Sequence, residues 1–179
     1  MCGTLNGVAP DASQNVLADL VERDLVFLDQ GEIAGAYPFS SQPTRHAVTI
    51  CGQRIWAVCA LDALGAGAMA RSGAHVTTTC PICEARIDVT IGRRGLALRA
   101  VSPISAVLWA GVEPIGGCAA ATQCQSMLLF CGDDHLQDWC ASRSGPNDGY
   151  RLTPRQALQA GAAIFRPFLA EPEPEEVSP

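Results

Sequence analysis

Apolar residues recur at helical spacing near the start of the chain and alternate with polar residues further on. The first apolar stripe consists of Val16, Leu17, Leu20 and Val21. It predicts an amphipathic helix with Ser13 as its N-cap. The next stretch, LVFLDQGEIAGAYPF, predicts two short strands around Gln30-Gly31. A helix followed by such a hairpin is typical of the end of a winged helix, so residues 1–42 are predicted to form a truncated winged-helix-like segment that serves as a lid.

Alternating patterns predict strands through the middle of the chain. HAVTICGQRIWAV alternates on both sides of Cys51-Gly52 and predicts a hairpin. The second strand leads into WAVCALDAL, which is expected to turn helical at about Cys59. AHVTTTC, ARIDVTIG, LALRAV and QSMLLFCG predict further strands, whereas SAVLWAG is ambiguous.

Two helices are predicted towards the end of the chain. DDHLQDWCASR is expected to start at Asp133 or Asp134 as its cap, and TPRQALQAGAAIF starts with Thr153 and a capping box completed by Gln156. The predicted fold class is therefore α+β: a mixed or antiparallel sheet with flanking helices in a domain spanning residues 43–170. The last segment, residues 171–179, is acidic and Pro-rich and is predicted to be a disordered tail.

Composition narrows the function classes. The 179 residues are 48% hydrophobic, enough for a sizeable core, and the formal net charge of −6 argues against nucleic acid as a partner. Neither a signal peptide nor a run of about 18 apolar residues is visible, so a cytoplasmic protein that does not enter a membrane is expected. An odd number of cysteines, nine, in a reducing compartment predicts thiols that are free, buried or metal-directed.

Cys59 and Asp62 lie three residues apart in an otherwise apolar segment and would share one face of a helix. Taken alone, they are more typical of a buried structural thiol and a surface carboxylate. However, a carboxylate among apolar neighbours needs a partner, and burial would raise its pKa towards neutrality. Cys124 lies where a small-residue loop enters an apolar run, a common position for reactive groups.

A C-x-x-C motif, Cys80 and Cys83, lies between two predicted strands and can offer two thiolates to zinc. A structural site needs two more ligands, for which Cys131, His135 and Cys140 are the candidates. Since the chain has no second C-x-x-C, the sequence favours two reduced or loosely paired thiols over a structural zinc. A thioredoxin-like role is disfavoured because a strand rather than a helix follows the motif.

Three segments resemble the alkylmercury lyases (organomercurial lyases). RIWAVCALDAL resembles the central Cys-Ala-Leu-Asp motif of the family, and HVTTTCPICEARIDVTI resembles the segment that follows it. CQSMLLFCGDDHLQDWCASR is similar to the second catalytic segment, which places Cys124 on the second catalytic cysteine. The resemblance spans about residues 13–170. Gln125 stands where the family often has another cysteine, and Cys83 is additional to the family pattern.

The resemblance implies protonolysis of the carbon–mercury bond of R-Hg⁺ to a hydrocarbon and Hg(II). Cys59 and Cys124 would hold mercury, Asp62 would deliver the proton and help to retain the ion, and no organic cofactor would be needed. The chemistry is consistent, because Hg(II) is soft and prefers thiolates. The product Hg(II), first bound by these three residues, would pass to cytosolic thiols or to a mercuric reductase.

Two other functions stay open at the level of sequence. A soft-metal binding or carrier protein for mercury, copper or zinc could use the same cysteines without breaking a bond. A winged-helix regulator could sense metal through them, although the acidic balance and the short helical region count against it. Asp62 separates the enzyme from the carrier, because only protonolysis requires an acid at that position.

Overall fold

The computed structural model describes residues 10–112, 117–143 and 148–169. The predicted acidic tail, residues 171–179, lies outside the described residues, as do residues 1–9. The α-helices are α1 (Pro10–Glu22), α2 (Ala60–Met69), α3 (Asp133–Ser142) and α4 (Pro154–Phe165). Short 3₁₀ helices span Ala119–Ala121, Gln123–Ser126 and Arg166–Leu169. No helix in this part of the chain is long and apolar enough to cross a membrane.

In the described part of the chain, the strands form two antiparallel sheets. They are β1 (Val26–Asp29), β2 (Glu32–Ala36), β3 (Phe39–Ser40), β4 (His46–Ile50), β5 (Gln53–Ala57), β6 (Ala74–Thr79), β7 (Arg86–Gly92), β8 (Ala97–Ser102), β9 (Val107–Gly111), β10 (Met127–Phe130) and β11 (Gly149–Leu152). The large sheet has the order β1-β2-β3-β5-β4-β6-β7-β8, and the small sheet has the order β10-β9-β11. The predicted α+β class is confirmed, and the ambiguous stretch SAVLWAG contains strand β9.

The two predicted hairpin turns are confirmed. Gln30 and Gly31 join β1 to β2 with φ values of 50° and 86°, and Cys51 and Gly52 join β4 to β5 with φ values of 50° and 78°. Two successive positive φ values define a type I′ turn, whose twist matches that of the strands it joins. The turn at Cys51 and Gly52 fixes the register of β5, the strand that leads to Cys59.

The N-terminal hairpin continues into the large sheet. β3 pairs with β2 on one side and with β5 on the other, with Phe39 opposite Ala57. The helix and hairpin expected from the sequence are both present. The winged-helix-like character of residues 1–42 and the boundary after residue 42 stay predictions.

The predicted start of a helix agrees with the structure only where the helix begins with a capping box. Thr153 caps α4, with its side chain accepting from the Gln156 N–H, as predicted. The predicted cap Ser13 is wrong, because α1 already begins at Pro10. The predicted cap of α3, Asp133 or Asp134, is wrong, because the N-cap is Gly132. Both aspartates lie in the first turn, where their negative charge interacts favourably with the helix dipole.

Helix α2 is buried along its length against the large sheet and α4. Its residues from Ala60 to Ala68 are all buried, which suits a helix made almost wholly of small and apolar side chains. Gly65 and Gly161 bring α2 and α4 into backbone contact, because a Cβ on Gly65 would lie 2.7 Å from the Gly161 carbonyl oxygen. This close approach places the end of α4 beside the start of α2.

Candidate active site

Cys59 and Asp62 form a reciprocal cap at the start of α2. Cys59 is the N-cap, with extended backbone, and its Sγ accepts a hydrogen bond from the Asp62 N–H at 3.4 Å. The Cys59 N–H in turn donates to Asp62 Oδ2 at 3.1 Å. The two side chains therefore meet through a capping box in which a thiol replaces the usual hydroxyl, rather than across one face of a helix.

Cys124 approaches this pair from the other sheet. It lies in the 3₁₀ helix that precedes β10, and its Sγ donates to Asp62 Oδ2 at 3.9 Å. One ligand atom from each of Cys59, Asp62 and Cys124 lies within 4.8 Å of the others. The structure thus brings together the three residues that the sequence singled out, although Cys124 is more than sixty positions from the other two.

All three side chains are buried, with exposed fractions of 0% for Cys59, 5% for Asp62 and 8% for Cys124. Burial raises the pKa of Asp62 from 3.8 to about 6. Interactions with both thiols and with the Cys59 backbone N–H favour the carboxylate and lower the pKa, but burial has the larger effect. Burial also raises the pKa of Cys59 well above its ordinary value, and Cys124 and Asp62 add to that shift. The group therefore holds protons that a soft cation can displace.

A small cleft opens onto this group. Its volume is about 200 Å³, and Asp62 and Cys124 lie in its wall. Apolar side chains dominate the remainder of the lining, among them Leu61, Met127, Ile164, Phe165 and Phe168. An apolar cavity of roughly 150 Å³ accommodates benzene, so the cleft has room for a small alkyl or aryl group.

The N-terminal segment supplies one side of the cleft. Asp24, Leu25 and Tyr37 line it. The Ala119 N–H donates to Asp24 Oδ2 at 2.9 Å, and the Ala120 N–H donates to the Tyr37 hydroxyl at 2.6 Å. The helix–hairpin segment therefore holds the loop that leads to Cys124, and its role as a lid stays a prediction.

Gln125 braces the same loop. Its Nε2 donates to the Ala120 carbonyl oxygen at 2.7 Å. Gln125, the residue that follows Cys124, thus supports the loop by a hydrogen bond and offers no thiol to the site.

Met127 was not predicted from the sequence. Its Sδ lies 3.8 Å from Cys59 Sγ, so a thioether lies beside the Cys59 thiol. A methionine at the start of an apolar strand is typical of an ordinary core residue. Its position three residues after Cys124 is the one sequence feature that places Met127 near the site. The aromatic residues near the end of α4 gave none, because their contact with the site depends on the packing of α2 against α4.

A second group of thiols lies apart from this cleft. Cys80, Cys83, Cys131 and His135 each place one ligand atom within 4.8 Å of the others. The other candidate, Cys140, is not in this group. Burial would raise the pKa of Cys80, but backbone N–H groups of Cys131, Cys83 and Ile82 donate to its sulfur and lower its pKa to about 6.

An α+β fold that buries two thiols and a carboxylate at the end of an apolar cleft defines a class of protein suited to soft metal ions and their small organic derivatives. The sequence model of the alkylmercury lyase family, MerB, matches residues 39–166. The chain therefore belongs to the alkylmercury lyase family.

Comparison with solved structures agrees on the fold. The crystal structure of the mercury-bound form of MerB2 is similar, with a TM-score of 0.74 and 23% sequence identity, covering 93% of this chain and 79% of that one. At this identity the likeness establishes the fold alone. No curated protein sequence matches the chain.

Proposed function

We propose that this chain is an organomercurial lyase that cleaves the carbon–mercury bond of R-Hg⁺ by protonolysis, with Cys59 and Cys124 as mercury ligands and Asp62 as the proton donor. The observation that carries the proposal is the convergence of these three side chains at the buried end of an apolar cleft. Membership of the alkylmercury lyase family and the mercury bound by its structural relative support it.

Cys124 engages the substrate first. It lines the cleft, whereas Cys59 is fully buried behind it. A small-thiol adduct of the organomercurial exchanges its thiolate for Cys124, and the proton of the Cys124 thiol leaves with the small thiol. The organic group then occupies the apolar part of the cleft, which excludes water from the reacting bond.

Cys59 completes the loading. The Cys59 thiol gives its proton to the Asp62 carboxylate as its sulfur bonds to mercury. Asp62 is suited to this relay because the Cys124 thiol donates to its carboxylate, the Cys59 sulfur lies within 4.8 Å of it, and burial raises its pKa to about 6. Mercury then carries two thiolates and the organic group, and the added electron density weakens the carbon–mercury bond.

Asp62 returns the proton to carbon. The carbon–mercury bond breaks with its electron pair on carbon, that pair takes the Asp62 proton, and the hydrocarbon leaves. The products are R-H, a carboxylate at Asp62 and Hg(II) held by Cys59 and Cys124. Each thiol has lost one proton: one went to the small thiol and the other to the hydrocarbon, so the reaction balances without a redox partner or an organic cofactor.

Release of the metal requires competing thiols. Two buried thiolates bind Hg(II) strongly, so small cytosolic thiols or the cysteines of a mercuric reductase are the proposed acceptors. A cytoplasmic location and a role in mercury detoxification follow from this assignment. The proposed function involves no nucleic-acid partner.

Soft-metal binding without bond cleavage is the second candidate. The pair of buried thiols and the nearby Met127 sulfur would serve a carrier equally well. The position of Asp62 favours the enzyme, because a carrier gains little from a buried proton donor that contacts both metal ligands.

The test is benzene release from phenylmercury in excess small thiol, followed by gas chromatography. Wild type should release benzene over many turnovers, and Cys59→Ser should release it at the uncatalysed rate. Cys51→Ser is the matched control, since Cys51 is an exposed thiol in a hairpin turn. Equal release by wild type and Cys59→Ser would overturn the proposal.

A further inference from the structure

The second thiol group joins two distant parts of the chain. Cys80 and Cys83 belong to the turn between β6 and β7, in the large sheet. Cys131 directly follows β10 of the small sheet, and His135 lies in the first turn of α3. Nothing in the proposed lyase reaction uses these four side chains.

The separations within the group suit a four-coordinate metal. Cys83 Sγ lies 3.6 Å from Cys131 Sγ, and Cys80 Sγ lies 3.6 Å from His135 Nδ1. A zinc ion with Zn–S bonds of about 2.3 Å and a Zn–N bond of about 2.0–2.1 Å sets tetrahedral edges of about 3.5–3.8 Å. Cys131 Sγ and His135 Nδ1 are closer, at 2.8 Å, and would separate as the ion enters between them.

The C-x-x-C turn is folded as a ligand loop. The Cys80 N–H donates to the Ala85 carbonyl oxygen, and the Glu84 N–H donates to the Cys80 carbonyl oxygen, both at 2.9 Å. Glu84 adopts a φ of 57°, which closes the turn. The turn holds the sulfurs of Cys80 and Cys83 within 4.8 Å of each other and of the ligand atoms of Cys131 and His135.

We infer that Cys80, Cys83, Cys131 and His135 bind a structural zinc ion. Three thiolates and one imidazole are an established donor set for closed, four-coordinate zinc sites. The sequence favoured free thiols because it contains no second C-x-x-C; the fold supplies the missing pair from a C-x-x-x-H segment. Cys83 is exposed, and Cys131 and His135 are partly exposed, so the ion has a route in.

The ion would link the two sheets that also position the candidate active site. Cys59 follows β5 of the large sheet, whereas Cys124 precedes β10 of the small sheet. The separation of these two thiols therefore depends on how the sheets dock. A metal held by the β6–β7 turn and by the end of β10 fixes that docking at the opposite end of β10.

The inference is tested by metal analysis of the full chain, purified from zinc-supplemented cells and dialysed. Wild type should retain about one zinc ion per chain. Cys83→Ser and His135→Asn should reduce that content several-fold. Two controls, Cys51→Ser and Cys59→Ser, should retain it; the second shows that the zinc does not reside at Cys59, Asp62 and Cys124.

Zinc-edge X-ray absorption of wild type provides a readout that needs no variant to fold. It should give three sulfurs at about 2.3 Å and one nitrogen at about 2.0–2.1 Å. Wild type without zinc after supplementation, or zinc lost in Cys59→Ser but kept in Cys83→Ser, would overturn the inference. A Cys83–Cys131 disulfide found by mass spectrometry in protein prepared under reducing conditions would also overturn it. None of these outcomes depends on lyase activity.

Discussion

Cys59 and Asp62 cap one another at the first turn of α2: each backbone N–H donates to the side chain of the other residue. This exchange fixes both side chains without a third residue and places them at a helix N-terminus, where negative charge is favoured. Burial acts in the opposite direction and keeps protons on the group. A buried set of ligands that stays protonated until a soft cation displaces its protons matches the proposed reaction.

The depth of the two thiols predicts an order of reactivity. Cys124 lines the cleft and Cys59 lies behind it, so iodoacetamide should modify Cys124 roughly tenfold faster in the native protein. Quantitative mass spectrometry of the two peptides over time measures both rates. Exposed Cys51 serves as the internal reference for an accessible thiol. Faster modification of Cys59 than of Cys124 would contradict the proposed order of mercury loading.

Asp62 should make stability depend on pH. Its pKa is about 6 in the folded protein against an ordinary 3.8, so the folded state holds the proton more tightly. The resulting stabilisation is complete below about pH 4 and is lost as the pH rises through 6. The shift corresponds to roughly 2–3 kcal/mol.

Asp62→Asn removes this titration and keeps an oxygen for the Cys59 N–H. Between pH 4.5 and pH 7.5, wild type should therefore lose about 2 kcal/mol more of its free energy of unfolding than the variant does. Urea unfolding at both pH values measures this difference. An unchanged difference between variant and wild type across the two pH values would show that the carboxyl group is not buried as described.

The contact between Gly65 and Gly161 should tolerate no added methyl group. A Cβ on Gly161 would lie 2.8 Å from the Leu61 carbonyl oxygen, so α4 must move away from α2. Gly161→Ala is expected to cost about 1–3 kcal/mol of stability in thermal or urea unfolding. Ala163→Ser adds one atom at an exposed position of the same helix and should be nearly neutral. Equal stabilities of the two variants would argue against this packing.

The size of the cleft should set the substrate range. Ala119 lines the cleft, and Ala119→Phe keeps the backbone N–H that bonds to Asp24 while filling part of the space. The kcat/KM for phenylmercury should fall roughly tenfold more than that for methylmercury. Parallel assays of benzene and methane release measure the ratio. A ratio equal to that of wild type would place the organic group elsewhere.

Much of this arrangement was predictable from local sequence. The hairpin turns around Gly31 and Gly52 and the capping box of Thr153 could be predicted because each depends on a few adjacent residues. The roles of Cys59, Asp62 and Cys124 were expected only by resemblance to a family. The contact between Cys124 and Asp62 could not be predicted from residue spacing, because it depends on how the two sheets dock.

The remaining features depend on tertiary packing that leaves little trace in the sequence. Gly65 and Gly67 are unfavourable residues for a helix interior. Helix α2 nevertheless forms and is deeply buried, because its glycines allow close approach by neighbouring backbone. The pairing of Cys80 and Cys83 with Cys131 and His135 likewise follows from the place where β10 ends. Such contacts join residues some fifty positions apart, beyond the reach of any periodicity.

In the proposed reaction Asp62 delivers a proton to the carbon atom, a step that an enzyme needs and a carrier does not. The most direct measurement is single-turnover benzene release from stoichiometric phenylmercury by wild type and by Asp62→Asn, with mercury retention measured on the same samples. Both proteins should retain mercury, and the variant should release benzene roughly 10²–10⁴-fold more slowly. Release by Asp62→Asn at the wild-type rate would contradict the proposed reaction.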